Sequence, residues 1–391
     1  MATYDPELAQ IVEELNRAAP GGVAPAPGSA PARPATAATA ASLDQLLAFA
    51  ARRSASDLIL VAGAPVALRI SGSLAPASSP PLGPVEIRQL LLPLLEPDRY
   101  EELQKNKSVD FCFVREPLGR FRANLHYQRG TLAASIRLLP ARLPTLESLN
   151  LPASLGRLVD RRQGLVLVTG PTGCGKTSTL AALLDLINAR RRDHIVTIED
   201  PIEYQHPNRS SIVEQIEVGH DTPDFVNSLR SILRQTPDVI LVGEMRDPET
   251  MATVLTAAET GHLVLSTLHT NDASQAVSRI LDSFPASHVG QVRQQLSLAL
   301  LAIIAQQLVP AAGGASRYPA VEILIATDAA RNLIRKGDDH MLRQQMATGR
   351  AEGMMTMEQS LAELVRAGRI QRETAQAHCF RPDDLRRYLE G

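Results

Sequence analysis

Tryptophan is absent from this 391-residue chain, and only 3% of its residues are aromatic. The formal net charge is −2 at pH 7, so the chain has no basic surplus either. Proteins whose main task is to hold nucleic acid usually have basic surfaces and aromatic side chains on which bases stack. The composition therefore predicts that nucleic acid is not a partner.

Cysteine is also scarce, and long apolar runs are missing. Cys112, Cys174 and Cys379 are far apart and form no CxxC pair, which excludes a disulfide framework and a cysteine-based zinc site. The longest apolar run, LALLAIIA (298–305), is too short to cross a bilayer, and no signal peptide is evident. We expect a cytoplasmic protein that reaches a membrane only through a partner.

Residues 1–41 have a composition of their own. Within residues 1–17, the segment ELAQIVEELNR has apolar residues at helical spacing, which predicts a short helix. Residues 18–41 consist almost wholly of Ala, Pro, Gly, Ser and Thr, which predicts a flexible linker. We interpret residues 1–41 as a flexible Ala/Pro-rich extension.

The next part of the chain, residues 42–140, is predicted to be a small α+β domain. A helix is expected over Leu43–Arg52 with Ser42 as its N-cap, followed by a strand over Asp57–Val61. Further short strands and an amphipathic helix, VEIRQLLLPLL, complete it. The segment ARLPTLESLNLP (141–152) contains two prolines and little regular pattern, and we interpret it as a hinge linker.

From residue 153 to residue 391 the pattern changes. Continuous apolar segments of strand length alternate with helical segments, which is typical of a parallel sheet covered on both faces. Ligands of such sheets bind at the carboxyl ends of the strands. The chain ends in a region of helices. The expected core strands are GLVLVTG, HIVTIED, DVILVGE and HLVLSTLHT.

The strongest motif follows the first of these strands. GPTGCGKT (170–177) matches the P-loop pattern G-x-x-x-x-G-K-[ST] between a strand and a helix. Glycines let backbone N–H groups point at phosphates, Lys176 neutralises phosphate charge, and the Thr177 hydroxyl is placed to bind Mg²⁺. We therefore predict a nucleotide-binding site made of Gly170, Pro171, Thr172, Gly173, Cys174, Gly175, Lys176, Thr177 and Ser178.

Carboxylates follow two other strands of the predicted sheet. DVILVGEMRD resembles a Walker B strand in which Gly243 replaces the usual Mg²⁺-side aspartate, while Glu244 is suited to polarise a water molecule. Glu199 and Glu203, in HIVTIEDPIEY, are the expected source of carboxylate support for the metal. We predict catalytic roles for Glu244, Glu203 and Glu199.

Two histidines flank the last predicted core strand. His269 follows its carboxyl end, on the edge expected to bind phosphates, where it can donate a hydrogen bond to the γ-phosphate. His262 precedes the strand at the opposite edge, so it cannot act in the same way within one subunit. For His262 the alternatives are holding the strand and meeting a neighbouring subunit, and we include both histidines among the candidate catalytic residues.

Four motifs in this order carry a family resemblance: GPTGCGKT, TIEDPIEY, DVILVGEMRD and ETGHLVLSTLHTND. Together they resemble the secretion ATPase superfamily of type IV pili and type II secretion. SASDLILVAG and AARNLIRKG (329–337) resemble segments of its PilT branch, the pilus retraction motors. The resemblance covers about residues 42–375, and the Ala/Pro-rich extension departs from it.

The resemblance implies a RecA-like P-loop core preceded by a PAS-like N-terminal domain and followed by helices. It implies a hexameric, Mg²⁺-dependent ATPase whose domains rotate to retract a pilus at its inner-membrane base, in contact with the platform protein there. Phosphoryl transfer also requires cations on the γ-phosphate. The candidate arginines are Arg120, Arg122, Arg129, Arg137, Arg230, Arg234, Arg246 and Arg279.

Three alternatives to a retraction motor stay open. One is a pilus-assembly or type II secretion ATPase, although the four-cysteine metal motif usual in those branches is absent. Another is an accessory paralogue that tunes a partner motor. The third is a nucleic-acid translocase, because P-loop cores of this kind also serve helicases.

Two further hypotheses concern individual segments. Cys174 lies at a predicted helix N-terminus beside Lys176, and both features favour a thiolate, so we predict that Cys174 is the reactive cysteine of the three. In AARNLIRKG, Leu333 and Ile334 are expected to pack while Arg331 and Asn332 are free to contact something else. Replacing Leu333 should then uncouple retraction from hydrolysis.

Overall fold

The computed structural model describes residues 42–70, 72–77, 79–140, 142–314 and 316–390. The helix predicted within residues 1–17 and the linker predicted over residues 18–41 lie outside these ranges. The chain divides into two compact units between residues 141 and 142.

The first unit is built on one antiparallel sheet with the strand order β3-β2-β1-β6-β5-β4. Helices accompany this sheet, as the α+β prediction expected. The elements are α1 (Leu43–Arg52), β1 (Asp57–Val61), β2 (Ala67–Ile70), β3 (Ser73–Pro76), α2 (Pro84–Leu91), α3 (Pro97–Asn106), β4 (Ser108–Arg115), β5 (Gly119–Gln128) and β6 (Thr131–Leu138).

Helix α1 shows why this unit could be predicted locally. Ser42 caps it, accepting the Gln45 N–H at 3.3 Å, and the Gln45 side chain returns a bond to the Ser42 N–H, so two otherwise unpaired N–H groups are satisfied. Leu47 and its helix neighbours then pack into the core of the unit. Strand β3 and helix α3 were not predicted, because β3 is exposed throughout and α3 is mostly polar.

The second unit contains a sheet with the strand order β13-β12-β7-β11-β10-β8-β9. All neighbouring strands are parallel except β12 and β13. The elements are β7 (Gly164–Thr169), α4 (Lys176–Arg190), β8 (His194–Glu199), β9 (Ile212–Glu217), α5 (Phe225–Ile232), β10 (Val239–Val242), α6 (Pro248–Glu259), β11 (Leu263–Leu268), α7 (Ala273–Asp282), α8 (Val289–Ala299), β12 (Leu300–Pro310), β13 (Arg317–Ile325), α9 (Asp328–Lys336), α10 (Leu342–Thr348), α11 (Met357–Arg366), α12 (Arg372–His378) and α13 (Pro382–Glu390).

Strands β7, β10 and β11 are buried at every position. Two separate apolar cores, one on each face of the sheet, account for this, since helices pack on both sides. The four predicted core strands are confirmed, and so is the α/β class with a mainly parallel sheet. The edge strands β9 and β13 were not predicted.

The apolar run LALLAIIA is a helix-to-strand junction. Helix α8 ends at Ala299, and β12 begins at Leu300 and pairs with both β7 and β13. A strand inside a sheet with two covered faces is apolar on both sides, which explains the run without a membrane. Among the described residues, no helix is long and apolar enough to cross a bilayer.

The segment after the division belongs largely to the second unit. Leu146, Leu149 and Leu151 pack against the core on the α4 face of the sheet. At the other end of the unit, the Arg343 guanidinium lies 2.7 Å from both the buried Glu358 carboxylate and Asp384, which joins α10, α11 and α13. The assignment of residues 141–152 as a hinge stays a prediction.

Helix α9 contains the AARNLIRKG segment and corrects one expectation. Leu333 and Ile334 pack against the core as predicted. Arg331, however, is not free: its Nε donates to the Ala326 carbonyl at 2.9 Å, and its Nη1 donates to the Ser297 and Leu298 carbonyls. The sequence pattern could not reveal this, because two of the three carbonyls belong to the end of α8, more than thirty residues away.

Candidate active site

The P-loop connects β7 to α4, as predicted. Gly170 and Gly175 have φ of +143° and +91°, values that residues with a Cβ rarely adopt. Pro171, Thr172 and Gly173 are exposed, so the outer part of the loop is accessible to a ligand. Lys176 begins α4, where the backbone N–H groups of the first turn have no partner within the helix.

The Lys176 ammonium lies across this loop. Its Nζ donates to the Gly170 carbonyl at 2.9 Å and to the Pro171 carbonyl at 3.2 Å. Burial lowers the pKa of Lys176, while Cys174, Glu244 and Glu203 act in the opposite direction. The two acidic side chains are therefore close enough to influence the charge that the loop offers to phosphates.

His269 and Glu244 meet beside the lysine. His269 directly follows β11, and its Nε2 lies 3.2 Å from Glu244 Oε2, while its Nδ1 lies 3.5 Å from Lys176 Nζ. An ammonium group only donates and a carboxylate only accepts, so a neutral imidazole with its hydrogen on Nε2 satisfies both neighbours. Arg246 forms an ion pair with the other oxygen of the Glu244 carboxylate. The result is a continuous row: Lys176, His269, Glu244, Arg246.

The surroundings of Gly243 explain why the Walker B strand has glycine where an aspartate is usual. The Gly243 N–H donates to the Ile198 carbonyl at 2.8 Å, and a Cβ on Gly243 would lie 3.2 Å from that carbonyl oxygen. The approach of β8 therefore leaves little room for a side chain. Thr267 Oγ1 also donates to the Gly243 carbonyl at 2.7 Å, which ties the start of the Glu244 segment to β11.

Glu199 is a buried group rather than an exposed one. Its Oε1 accepts hydrogen bonds from Thr197 Oγ1 at 2.7 Å and Gln215 Nε2 at 3.1 Å. Burial nevertheless raises the pKa of Glu199 to about 7. Glu203 is half-buried, so of the two predicted metal-supporting carboxylates it is the more accessible.

Tyr204 and Gln215 hold the acidic segment in place and were not recognised in the sequence. Tyr204 Oη lies 2.8 Å from Ser178 Oγ, so the residue after Glu203 contacts the first turn of α4. Gln215 Nε2 donates to the Tyr204 carbonyl at 2.8 Å. The position of Tyr204 in TIEDPIEY was visible in the sequence, but nothing there indicated its partner.

His262 lies away from this cluster. It precedes β11, at the opposite edge of the sheet from His269, and its Nδ1 donates to the Ala257 carbonyl at 3.0 Å. That bond joins the end of α6 to the start of β11. Of the two alternatives for His262, the structure shows the contact that holds the strand.

The candidate arginines fall into two groups. In the second unit, Arg230, Arg234, Arg246 and Arg279 are exposed, and Arg230 is ion-paired with Glu249. In the first unit, Arg137 lies 3.0 Å from Asp57 across β6 and β1, and Arg122 is its cross-strand neighbour on β5. Arg120 also lies on β5, and Arg129 follows that strand. Among the candidate arginines of the second unit, Arg246 is the one with a described contact to the Lys176–Glu244 row.

The expectation that Cys174 carries a reactive thiolate is wrong. Its side chain is 2% exposed, and burial raises the pKa of its thiol against the lowering effect of Lys176. The packing is tight, since a Cβ on Gly170 would lie 2.7 Å from Cys174 Sγ. The helix N-terminus and the lysine favour a thiolate, but the low polarity of the packed site outweighs both. Cys112, by contrast, is half-buried.

Comparisons with known proteins agree with this geometry. Residues 134–387 match the family described as type II/IV secretion system protein. The chain is 42% identical to the type IV pilus retraction ATPase PilT of Pseudomonas aeruginosa, over 88% of this chain and 99% of that protein.

The chain belongs to this family, as a PilT/PilU-type pilus ATPase.

The Pseudomonas aeruginosa type IV pilus ATPase PilU is 41% identical, over 88% of this chain and 90% of PilU. A crystal structure of the pilus retraction motor PilT with bound ADP has a TM-score of 0.83 at 44% identity, covering 89% of this chain and 99% of that one. The resemblance seen in the sequence is thereby confirmed, together with the ATPase class and the use of a nucleotide.

Proposed function

We propose that this chain is an Mg²⁺-dependent ATPase motor that retracts type IV pili, working as a hexameric ring whose domains rotate as ATP is hydrolysed. The observation that carries the proposal is the row of Lys176, His269 and Glu244 at the carboxyl edge of the sheet. This row brings a phosphate-binding cation, a hydrogen-bonding imidazole and a carboxylate into successive contact. The similarity to PilT over 88% of the chain supports the direction of force.

Glu244 would orient the attacking water. Its carboxylate is 15% exposed and is held between His269 and Arg246, so it is fixed yet reachable by water. Hydrolysis forms a bond between the water oxygen and the γ-phosphorus and breaks the bond from that phosphorus to the ADP oxygen. The carboxylate accepts a water proton as this happens.

The P-loop would hold the phosphates that react. Lys176 would exchange its bonds to the Gly170 and Pro171 carbonyls for phosphate oxygens, which carry more negative charge. His269 contacts both Lys176 and Glu244, so a change at either one alters its hydrogen bonds. We propose that His269 thereby signals the loss of the γ-phosphate to the rest of the subunit.

The residues present fit Mg²⁺ bound together with a nucleotide. Among the described residues, no group of three or more His, Cys, Asp or Glu side chains could hold a metal ion. Mg²⁺ in nucleotide sites takes only one or two protein ligands besides phosphates and water, and the half-buried Thr177 and Glu203 have suitable oxygens. When bound, the ion supplies neutralisation of phosphate charge.

An arginine that completes the site stays a proposal. Arg246 already lies in the row, whereas Arg234 and Arg279 are exposed without an ion pair among the described residues. In a ring, a neighbouring subunit can present an arginine that this chain cannot bring to its own site. We propose that the ring acts in the cytoplasm, at the inner-membrane base of the pilus, against its platform protein.

A second candidate function is an accessory retraction ATPase. The chain is 41% identical to PilU and 42% identical to PilT, so sequence identity does not separate the two functions.

Deletion of the gene followed by imaging of surface pili tests the proposed role in retraction. Hyperpiliated, non-motile cells support retraction. Cells without surface pili indicate an assembly motor instead. Normal piliation with normal motility contradicts both a retraction role and an assembly role.

A steady-state ATPase assay of the purified protein separates the remaining alternatives. We expect Mg²⁺-dependent turnover that DNA and RNA leave unchanged. Stimulation by nucleic acid would favour a translocase. Nucleotide binding without turnover would indicate an accessory subunit that tunes a partner motor.

A further inference from the structure

Gln306 occupies an unexpected position in the second unit. Strand β12 runs parallel to β7, and Ala305 pairs with Thr169. The next residues along the chain are Gln306, on β12, and Gly170, which follows β7. Gln306 therefore comes beside the first residue of the P-loop. Its side chain is 3% exposed, and an amide is buried at such a depth only when it makes hydrogen bonds.

Both ends of this amide are bonded. Its Nε2 donates to the Cys174 carbonyl at 2.6 Å, and its Oε1 accepts a hydrogen bond from Thr179 Oγ1 at 2.8 Å. Cys174 belongs to the loop, and Thr179 belongs to the first turn of α4. One side chain from β12 therefore links the two parts of the phosphate-binding element.

The backbone of Gln306 also restrains the loop. A Cβ on Gly170 would lie 2.2 Å from the Gln306 carbonyl oxygen, so the strand and the start of the loop are in direct contact. The loop is thus held at Gly170 by packing and at Cys174 by a hydrogen bond. The residues between them, Pro171, Thr172 and Gly173, are the exposed ones.

The bond to Cys174 has a consequence for the phosphate side of the loop. In a planar trans peptide the C=O and the following N–H point in opposite directions. Fixing the Cys174 carbonyl towards Gln306 therefore fixes the Gly175 N–H in the opposite direction. P-loops bind phosphates through such N–H groups, and their affinity depends on orientation before the ligand arrives.

We propose that Gln306 is a positioning residue for ATP hydrolysis, which sets the orientation of the Cys174–Gly175 peptide and thereby the affinity of the P-loop for phosphates. It touches the loop and α4, and it acts on the nucleotide only through them. The inference rests on the ATPase activity and not on the direction in which the motor drives a pilus.

The test is nucleotide affinity in full-length Gln306→Glu, measured by titration with a fluorescent ADP analogue. Glutamate has nearly the same shape, but its ionised carboxylate cannot donate to the Cys174 carbonyl. The titration is done at pH 8.5, above the pKa of about 7 that burial gives Glu199 and Glu322. We expect the dissociation constant to rise about 10- to 100-fold, since a buried carbonyl loses its partner. The KM for ATP should rise with it, while kcat at saturating ATP falls less, because the water-orienting Glu244 is untouched.

The adjacent Gln307 supplies a matched control. Its Nε2 donates to the His378 carbonyl at 2.9 Å, so it holds α12 and not the P-loop. Gln307→Glu should lower thermal stability while leaving ADP affinity unchanged. Equal weakening of ADP binding by the two variants would show that the effect is one of general stability.

A second variant keeps the test decisive if Gln306→Glu does not fold. Gln306→Met removes both hydrogen bonds without burying a charge, and it should weaken ADP binding to a similar degree. Thr179→Val should weaken binding less, because the bond to the Cys174 carbonyl remains. Wild-type ADP affinity in a folded Gln306→Met protein would overturn the proposal, because methionine cannot donate a hydrogen bond at any pH.

Discussion

The imidazole of His269 lies between Glu244 and Lys176, with Nε2 3.2 Å from Glu244 Oε2 and Nδ1 3.5 Å from Lys176 Nζ. His269 directly follows β11, Glu244 lies two residues after β10, and Lys176 begins α4, all at the same edge of the sheet. The parallel topology of β7, β10 and β11 brings them together, although they are up to 93 residues apart in the chain. The cluster is therefore a property of the sheet and not of any one motif.

Glu244 gives the first prediction. Glu244→Gln should keep ATP binding close to that of the wild type, because the binding groups belong to the P-loop, and should lower kcat about 10²–10⁴-fold through loss of the base. Lys176→Ala should weaken both binding and hydrolysis. Phosphate release measured over time gives kcat. Titration with a fluorescent nucleotide gives the binding affinity. Glu373→Gln, an exposed position on α12, is the matched control.

Retention of more than about a tenth of the wild-type turnover in Glu244→Gln would move the base elsewhere, since a general base normally contributes at least about 10². Glu203 would then be the next carboxylate to examine. It is half-buried and acts electrostatically on Lys176, whereas Glu199 is buried behind it.

His269 gives the second prediction. His269→Gln keeps a hydrogen-bonding group but cannot contact Lys176 and Glu244 with the two ring nitrogens. We expect kcat to fall about 10²–10³-fold, as for loss of one group that stabilises the transition state, because the contacts that hold Lys176 and Glu244 are lost. The change in ADP affinity should be smaller. His262→Gln should leave kcat nearly unchanged, because His262 bonds the Ala257 carbonyl at the far edge. An equal fall in kcat for His262→Gln would instead indicate a role at a neighbouring subunit's site.

Much of the second unit could be predicted because its information is local. Lys176 and Thr177 follow a fixed spacing from Gly170, and β7, β10 and β11 are short apolar runs between helical segments. Ligands of parallel sheets bind at the carboxyl ends of the strands. That rule was enough to predict that His269 lies near the phosphates and that His262 lies at the opposite edge. Each of these inferences needs only a few consecutive residues.

What sequence could not supply depends on contacts between distant segments. Gln306 reaches Cys174 across 132 residues, and Arg331 reaches Ser297 across 34. The prediction for Cys174 failed for the same reason: its local features favour a thiolate, but Gly170 and β12 bury it. Burial by another strand is invisible in the residues beside a cysteine.

Cys174 gives the third prediction, in its corrected form. In the native protein a maleimide should label Cys174 more slowly than Cys112 or Cys379, because Cys174 is buried while the other two are half-buried. Burial raises the thiol pKa of both Cys174 and Cys379, so exposure decides the order between these two. Cys174→Ser should hydrolyse ATP at close to the wild-type rate. Peptide mapping by mass spectrometry after short labelling times ranks the three sites. Fastest labelling of Cys174, with protection by ATP, would restore the original interpretation.

Glu199 gives the fourth prediction, which concerns pH. Its folded-state pKa is about 7 against an ordinary value of 4.5, so between these values the folded protein holds a proton that the unfolded chain releases. This contribution to stability is present at low pH and is lost as the pH rises through 7. Each unit of pKa difference corresponds to about 1.4 kcal/mol. Glu199→Gln should therefore lose less stability than the wild type between pH 5.5 and pH 8.5.

Urea unfolding at each pH measures the free energy of unfolding. The protein concentration is kept fixed, because assembly into oligomers makes stability depend on concentration. Glu322 is a useful comparison, because burial also raises the pKa of its carboxyl to about 7 while it accepts the Ala273 N–H at the start of α7. Glu322→Gln should remove a separate part of the pH dependence. Identical pH profiles for Glu199→Gln and the wild type would contradict the assignment.

Arg331 gives the last prediction. Its guanidinium donates to the carbonyls of Ala326, Ser297 and Leu298, so it satisfies the end of α8 and joins it to α9. Arg331→Met keeps the length of the side chain but leaves these carbonyls without that donor, and should lower the free energy of unfolding by about 1–3 kcal/mol. Arg335→Met, on the exposed face of the same helix, should change it by less than about 0.5 kcal/mol. Because the hydrogen bonds described for Arg331 go to Ala326 and the end of α8 and not to the P-loop, the ATPase activity per folded molecule should stay unchanged in both variants. A fully stable Arg331→Met protein that hydrolyses ATP normally but fails to retract pili would show instead that Arg331 serves a partner, as the sequence had suggested.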